Sequence, residues 1–285
     1  MVEVAGRADI PVAPGARAPL RRRLVISTFA HGSNGLGDVE FPPPKIRPVE
    51  ETATEIIHRI ASGGPGEVSI VAVGPLTNVA AALLAYPSLA RQIREIVLMG
   101  GSLSGGNMTP AAEFNMYVDP EAASIVFRSG VPVTMVGLDV TRKCTLTEEH
   151  VVALEAGSDA VSRTAARITR NALERSKRAD WGPPVMHDPL AVATSSTGPS
   201  SACRSTSWRS KPMGSSRRVR LLVTSARPPC IQRRWRSRLT PPKSRPRVWC
   251  PTPRLRWKWT RHAFSNCSSS DLPGGADPAL ELLRW

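Results

Sequence analysis

Two hydrophobic periodicities alternate along the first two-thirds of the chain. Residues 49–62 (VEETATEIIHRIAS) place Ala53, Ile56, Ile57, Ile60 and Ala61 at helical spacing, and Gly63-Gly64 ends that helix. Val68 to Val73 is an apolar run interrupted only by Ser69, the mark of a strand covered on both faces. Leu76 to Ala85 reads as a helix, with Pro87 just beyond it, and Ile93 to Met99 as a second buried strand. Asp119-Pro120 combines an N-cap residue with Pro at the first helical position, predicting a helix that runs to Gly130. Val131 to Leu138 is a third strand, Thr147 opens a helix that ends at Gly157, and 159–177 forms a longer one. Short strands are expected at 10–13 and 24–26, around a basic loop. Strands alternating with helices at these lengths predict an α/β fold with a parallel sheet.

Near residue 196 the alternation stops. Residues 197–285 hold 16 Arg, 14 Ser, 11 Pro and six of the seven Trp, with no lasting period of 2 or 3.6. Repeated Pro excludes most long helices and central strands from such a stretch. Charge divides at the same place. The last 89 residues carry 19 Lys/Arg against three acids (Asp271, Asp277 and Glu281), a net of +16, whereas residues 1–196 are near neutral at −1. The formal charge of +15 is thus a property of the tail. The expected organisation is a partial α/β domain over 1–196 and a disordered basic tail over 197–285. Arg, Pro, Ser and Trp at this density are what an out-of-frame reading of a GC-rich gene produces, and that is the expected origin of the tail. A +16 stretch with interspersed Trp would hold polyanions without selectivity, so no specific nucleic-acid partner is expected.

Other classes are excluded more briefly. An apolar content of 41% with 21% charged residues argues against a wholly disordered chain. Cys144, Cys203, Cys230, Cys250 and Cys267 are scattered and form no Cys-x-x-Cys pair, so neither a disulfide framework nor a zinc site is indicated. The apolar run after Arg21-Arg22-Arg23 spans only residues 24–30, too short for a secretory leader, and a cytoplasmic location is expected. The uncharged stretch 68–86 has Gly74, Pro75, Thr77 and Asn78 at its centre, so it reads as strand, turn and helix rather than a membrane span.

In open parallel sheets, ligands bind beyond the carboxyl ends of the strands. Residues 74–78 follow the first strand, the glycine-rich loop 100–107 follows the second, and Asp139-Val140-Thr141 follows the third. Met186-His187-Asp188-Pro189 precedes a short apolar helix. The glycine loop lacks the Lys-Ser/Thr of a P-loop and leads into Thr109-Pro110. Its glycines suit close approach of the backbone to some other group better than they suit phosphate. Asn107, Glu113 and Asn115 share one segment. Two amides and a carboxylate can hydrogen-bond several sugar hydroxyls, or they can cap a helix and brace a loop. His187-Asp188 is either an acid beside a hard oxygen ligand for a cation, or a packed histidine beside an N-cap. His31, among Gly32, Gly35 and Gly37, faces a ligand or solvent. Glu148 and Glu149 read as first-turn acids favoured by the helix dipole.

Six stretches taken together resemble the inosine-uridine preferring nucleoside hydrolase family. They are VAGRADIPVAPG, HGSNGLGDVEFP, VAVGPLTNVAAAL, IVLMGGSLSGGNMTPAAEFNMYVDPEAA, VPVTMVGLDVTRK and HDPLAVA, in this order across residues 4–193. The resemblance implies a Rossmann-like, open, mainly parallel sheet with flanking helices. It implies a Ca²⁺-dependent N-glycosidase that cleaves a ribonucleoside of the inosine or uridine type to ribose and free base, and a homo-oligomer. By the same resemblance Asn107, Glu113 and Asn115 would bind ribose. Asp188 and the main-chain carbonyl of Val73 would bind calcium, and His187 would assist the leaving base. His31 would flank the base, with Met99 in the same pocket or in the core. The family's D-x-D-P-G-x-D-D loop, which supplies its general base and two further calcium carboxylates, has no counterpart in residues 1–285.

Overall fold

The structure is a computed structural model that describes residues 1–197 and the backbone of two further strands, 205–209 and 218–222. The first half contains α1 (Thr28–His31), α2 (Ala53–Gly63), β1 (Val68–Ala72), α3 (Thr77–Ala85), α4 (Leu89–Gln92), β2 (Ile93–Met99), α5 (Phe114–Val118) and α6 (Pro120–Arg128). There follow β3 (Val133–Val136), α7 (Leu138–Thr141), α8 (Glu148–Glu155), α9 (Ala160–Ala179), α10 (Asp188–Thr197), β4 (Ser205–Arg209) and β5 (Arg218–Leu222). The sheet order is β1-β2-β3-β5-β4, parallel from β1 to β5, with β4 antiparallel beside β5. Register places Ile70, Ile96, Val133 and Val219 in one row across four strands. The expected α/β parallel sheet with flanking helices is what the chain forms.

Strand β2 shows why the sheet is covered on both sides. Ile96 and Leu98 pack with Ala80, Leu83, Ala122 and Val126 of α3 and α6. The alternate residues Val97 and Met99 pack with Val136, Leu138 and Ala191, the last from α10. A period of two therefore feeds two cores, and the continuous apolar run is its sequence signature. Each such buried side chain contributes about 1.5–3 kcal/mol.

Helix starts follow their capping residues. Thr52 and Glu55 form a reciprocal capping box on α2, with Thr52 N donating to Glu55 at 2.8 Å. Asp119 caps α6 through Ala122 N at 3.0 Å. The same carboxylate is fully buried and accepts from Thr77 Oγ1 at 2.6 Å and Leu20 N at 2.9 Å. One residue thus ties the N-terminal segment to the starts of α3 and α6.

Three expectations need correction. Residues 10–13 and 24–26 are not strands. The first segment is held by separate contacts instead: Val12 O accepts from Val49 N at 2.9 Å, and Ala16 N donates to Asn78 Oδ1 at 2.8 Å. With no strand alongside, no ladder builds. The third strand is shorter than expected, because Gly137 ends it and Leu138 begins α7. Finally, β4 and β5 lie where no central strand was expected. The β5 segment, RVRLL, contains no Pro, so its N–H groups can pair on both sides. The remaining expectations for 197–285 lie outside the described residues. Among the described residues, no helix is long and apolar enough to cross a membrane, and 68–86 is β1, a turn and α3 as read.

Candidate functional site

The site is built at the carboxyl edge of β1, β2 and β3. After β2 the chain turns sharply through Gly101, whose φ of 75° favours glycine and where a Cβ would lie 2.7 Å from Met135 Sδ. Its N–H donates to Glu113 Oε2 at 2.9 Å. Glu113 is only 2% exposed and caps α5, also accepting from Asn115 N at 3.0 Å and Met116 N at 3.1 Å. Asn107 Oδ1 accepts from Phe114 N at 2.8 Å, and Asn115 Nδ2 donates to Met99 O at 3.0 Å. These three side chains therefore brace the loop. A carboxylate offers about four lone-pair positions, so Glu113 keeps room for one hydroxyl donor beside its three amides.

The far side of the glycine loop is held by α7. Asp139 accepts from Leu103 N and from Ser104 Oγ, each at 2.6 Å. Burial pushes its carboxyl up, but the Ser104 hydroxyl and the Leu103 N–H outweigh that and hold it below the usual range. Arg142 donates to Gly106 O at 2.9 Å. The N–H groups of Gly101 and Leu103 thus already hold the protein's own carboxylates, which leaves the loop unsuited to cradling phosphate.

Helix α10 closes the edge. Ala191 packs against the ends of β2 and β3, and this puts His187 and Asp188 over the carboxyl edge. His187 Nδ1 lies 2.9 Å from Oγ1 of the fully buried Thr141. Burial first, then the charges of His31 and Arg142, push the imidazole down to about 4, so it is neutral at pH 7. Asp188 opens to solvent, but desolvation in its recess and then the charge of Glu113 push its carboxyl up to about 6. These electrostatic couplings link Asp188 with Glu113 and His31 with His187. Val73, 39% exposed, follows the last residue of β1. Met99 is 4% exposed and packs in the core, with its carbonyl bracing Asn115.

The residues do not fit a complete calcium site. Calcium takes about six to eight oxygens. Asp188 and the Val73 carbonyl, the two ligands that the resemblance implies, would supply only two, and Glu113 is largely committed to amides. Among the described residues, no group of three or more His, Cys, Asp or Glu side chains comes together to hold a metal ion. Thr141 and Asp139 were legible only as part of a segment after a strand, and Arg142 as its neighbour. Their contacts with His187 and the glycine loop reach across the fold and carry no local signal. A separate cavity of about 410 Å³, lined by Leu83, Pro87, Ala90, Ser124, Ile125, Arg128 and Ser129, lies where α3, α4 and α6 return toward the amino edge of the sheet.

The geometry can be set beside known proteins. A sequence profile of the inosine-uridine preferring nucleoside hydrolase family matches residues 1–232. The chain belongs to this family. The match continues past residue 196, where the apolar patterning stops. A pyrimidine-specific ribonucleoside hydrolase, RihA, from Citrobacter koseri is 46% identical over 195 residues, 68% of this chain and 62% of that protein. The RihA protein of an Enterobacter strain is 44% identical over the same share of each chain. The chain thus spans about 62% of the length of these relatives. Among solved structures, a plant nucleoside hydrolase, PpNRh1, matches with a TM-score of 0.71 and 28% identity, covering 78% of each chain. A purine-preferring ribonucleoside hydrolase from Gardnerella vaginalis matches with a TM-score of 0.68 and 31% identity, covering 78% of this chain and 72% of that one. The parallel sheet with flanking helices is therefore the fold of these nucleoside hydrolases.

Proposed function

We propose that this chain acts on ribonucleosides at the carboxyl edge of β1–β3, hydrolysing the N-glycosidic bond to ribose and free base. The observation that carries the reading is the convergence of Glu113 with His187 and Asp188, from separate segments, at one edge of the sheet. Asn107, Glu113 and Asn115 take the ribose side, and His187 and His31 the base side, with Met99 beneath. As the bond to the base lengthens, positive charge develops on the sugar. The carboxylates of Glu113 and Asp188 face that charge and lower its energy. His187, neutral at pH 7, hydrogen-bonds the leaving base while a water adds its hydroxyl to the anomeric carbon; the water's proton ends on the base, which leaves neutral. Thr141 fixes the His187 ring. The resemblance would add calcium at Asp188 and Val73, and a cytoplasmic homo-oligomer. The 46% identity to a pyrimidine-specific hydrolase makes uridine and cytidine the first substrates to assay.

A second reading, ribose binding without turnover, is favoured by the short supply of metal-ligating side chains among the described residues. One experiment separates the two: ribose release from uridine, cytidine and inosine by the purified chain, with Ca²⁺ and with chelator, beside calorimetric binding of ribose. Release supports hydrolysis, and its loss on chelation supports calcium. Ribose binding without release supports the second reading, and neither signal refutes both.

A further inference from the structure

The longest helix makes contacts that the proposed reaction does not use. Along one face of α9, Arg167, Asn171 and Arg175 recur every fourth residue, and all three reach into 30–40, the segment that carries His31. Arg175 donates from Nη1 to Ala30 O at 2.7 Å and pairs through Nη2 with Asp38 Oδ2 at 3.4 Å. Asn171 Nδ2 donates to Gly37 O at 2.9 Å. Arg167 lies over the Phe41 ring, 5.9 Å from its centroid.

The segment is also braced from within. Gly37 N donates to His31 O at 2.8 Å, and Asp38 accepts from Ser33 N at 2.6 Å and from Ser33 Oγ at 2.9 Å. Gly32, with φ of 77°, is pressed so closely on the Asp38 carboxylate that a Cβ would lie 2.6 Å from it. The segment therefore moves as one piece, and the Arg175 fork grips it at both ends of its closed loop. Arg175 is 21% exposed but Asp38 is 52% exposed, so the charge pair adds little and the part-buried bond to Ala30 O carries most of the grip. A planar guanidinium that spans a carbonyl and a carboxylate fixes direction as well as distance, which a lysine does not. The helix that holds this loop also leads, through Trp181 and the turn after it, to His187 and Asp188.

We infer that Arg175 is a positioning residue, which sets the place of His31 at the mouth of the site by clamping the 30–40 loop onto α9. This rests on the reading of His31 as a base-side residue. Arg175 touches no substrate. It acts through the carbonyl next to His31 and through Asp38. Moving that loop changes the fit of the base more than the chemistry at the sugar, so the effect falls on KM more than on kcat.

The test uses the full chain with Arg175→Gln, Arg175→Lys and, as a control on the same helix, Arg178→Gln, whose pair with Glu174 is solvent-exposed. Two readouts are taken: the His31 ring resonances in a ¹H–¹³C spectrum, and KM and kcat for uridine and inosine. Arg175→Gln shifts or broadens the His31 resonances and raises KM about tenfold with a smaller change in kcat, whereas Arg178→Gln does neither. Arg175→Lys restores part of the effect, since it keeps the charge beside Asp38, and it carries the test if Arg175→Gln fails to fold. Unmoved His31 resonances in a folded Arg175 variant overturn the inference. Equal losses for Arg175→Gln and Arg178→Gln overturn it too. If the wild-type chain releases no ribose, the hydrolase reading fails separately, and the resonances still decide the role of Arg175.

Discussion

Replacing Glu113 with glutamine changes one atom and tests whether this carboxylate holds the glycine loop. Its oxygens accept three backbone N–H groups, from Gly101 at 2.9 Å, Asn115 at 3.0 Å and Met116 at 3.1 Å. A glutamine must point its NH₂ at one of these donors. The cheapest choice faces Asn115 N, because Oε2 alone serves the other two. That choice removes one charge-assisted bond, about 1.5–3 kcal/mol, and leaves a buried N–H opposite a donor. The two remaining bonds become neutral and weaken by roughly half. The sum is a loss of about 3–6 kcal/mol, large against the few tenths expected of a change at the surface. Urea unfolding followed by circular dichroism, extrapolated linearly to water, measures it. A loss below about 1 kcal/mol would refute the reasoning, because water or a relaxed loop would then be replacing the carboxylate.

Three other outcomes follow from the same contacts. Asp119→Ala removes the acceptor of Leu20 N, Thr77 Oγ1 and Ala122 N, and should cost about 3–5 kcal/mol by the same unfolding assay. The His187 imidazole, pushed down to about 4 from 6.5, takes its proton more readily in the unfolded chain. Its contribution to stability is thus intact above about 6.5, falls as pH drops toward 4, and levels off below that. Asp188, raised to about 6, acts in the opposite direction between 6 and 3.8. His187→Gln should therefore lose less stability than wild type between pH 7 and pH 5, as paired denaturant titrations would show. Thr141→Val, which removes the hydroxyl 2.9 Å from His187 Nδ1, should lower ribose release about tenfold, with Thr141→Ser recovering most of it; equal rates for both variants would count against the orienting role.

What the chain announces in advance follows from the range of the interactions. The apolar stretches 70–73 and 96–99 were legible because a strand covered on both faces favours apolar residues at successive positions. Asp119-Pro120 was legible because a cap is a local contact. The second duty of Asp119, toward Thr77 and Leu20, was not, since those residues lie 42 and 99 positions away. Arg175 is the extreme case, holding Ala30 across 145 positions. In the candidate site, the segment holding Asn107, Glu113 and Asn115 was visible by composition. Its alternative reading, capping and loop bracing, describes the bonds it makes in this structure. The expected strands at 10–13 and 24–26 failed because apolar β-formers make strands only beside a partner strand. The strand at 218–222 escaped notice because the Pro and Arg around it hid five suitable residues.

Hydrogen exchange of the purified chain, with and without saturating uridine, tests the central claim most directly. The account places the nucleoside between the 100–115 loop and the start of α10. Exchange should therefore slow over residues 100–115 and 186–190, and stay unchanged over 83–90 and 124–129, which line the cavity toward the other edge of the sheet. Protection confined to that cavity, or none at all at concentrations where calorimetry shows binding, would contradict it.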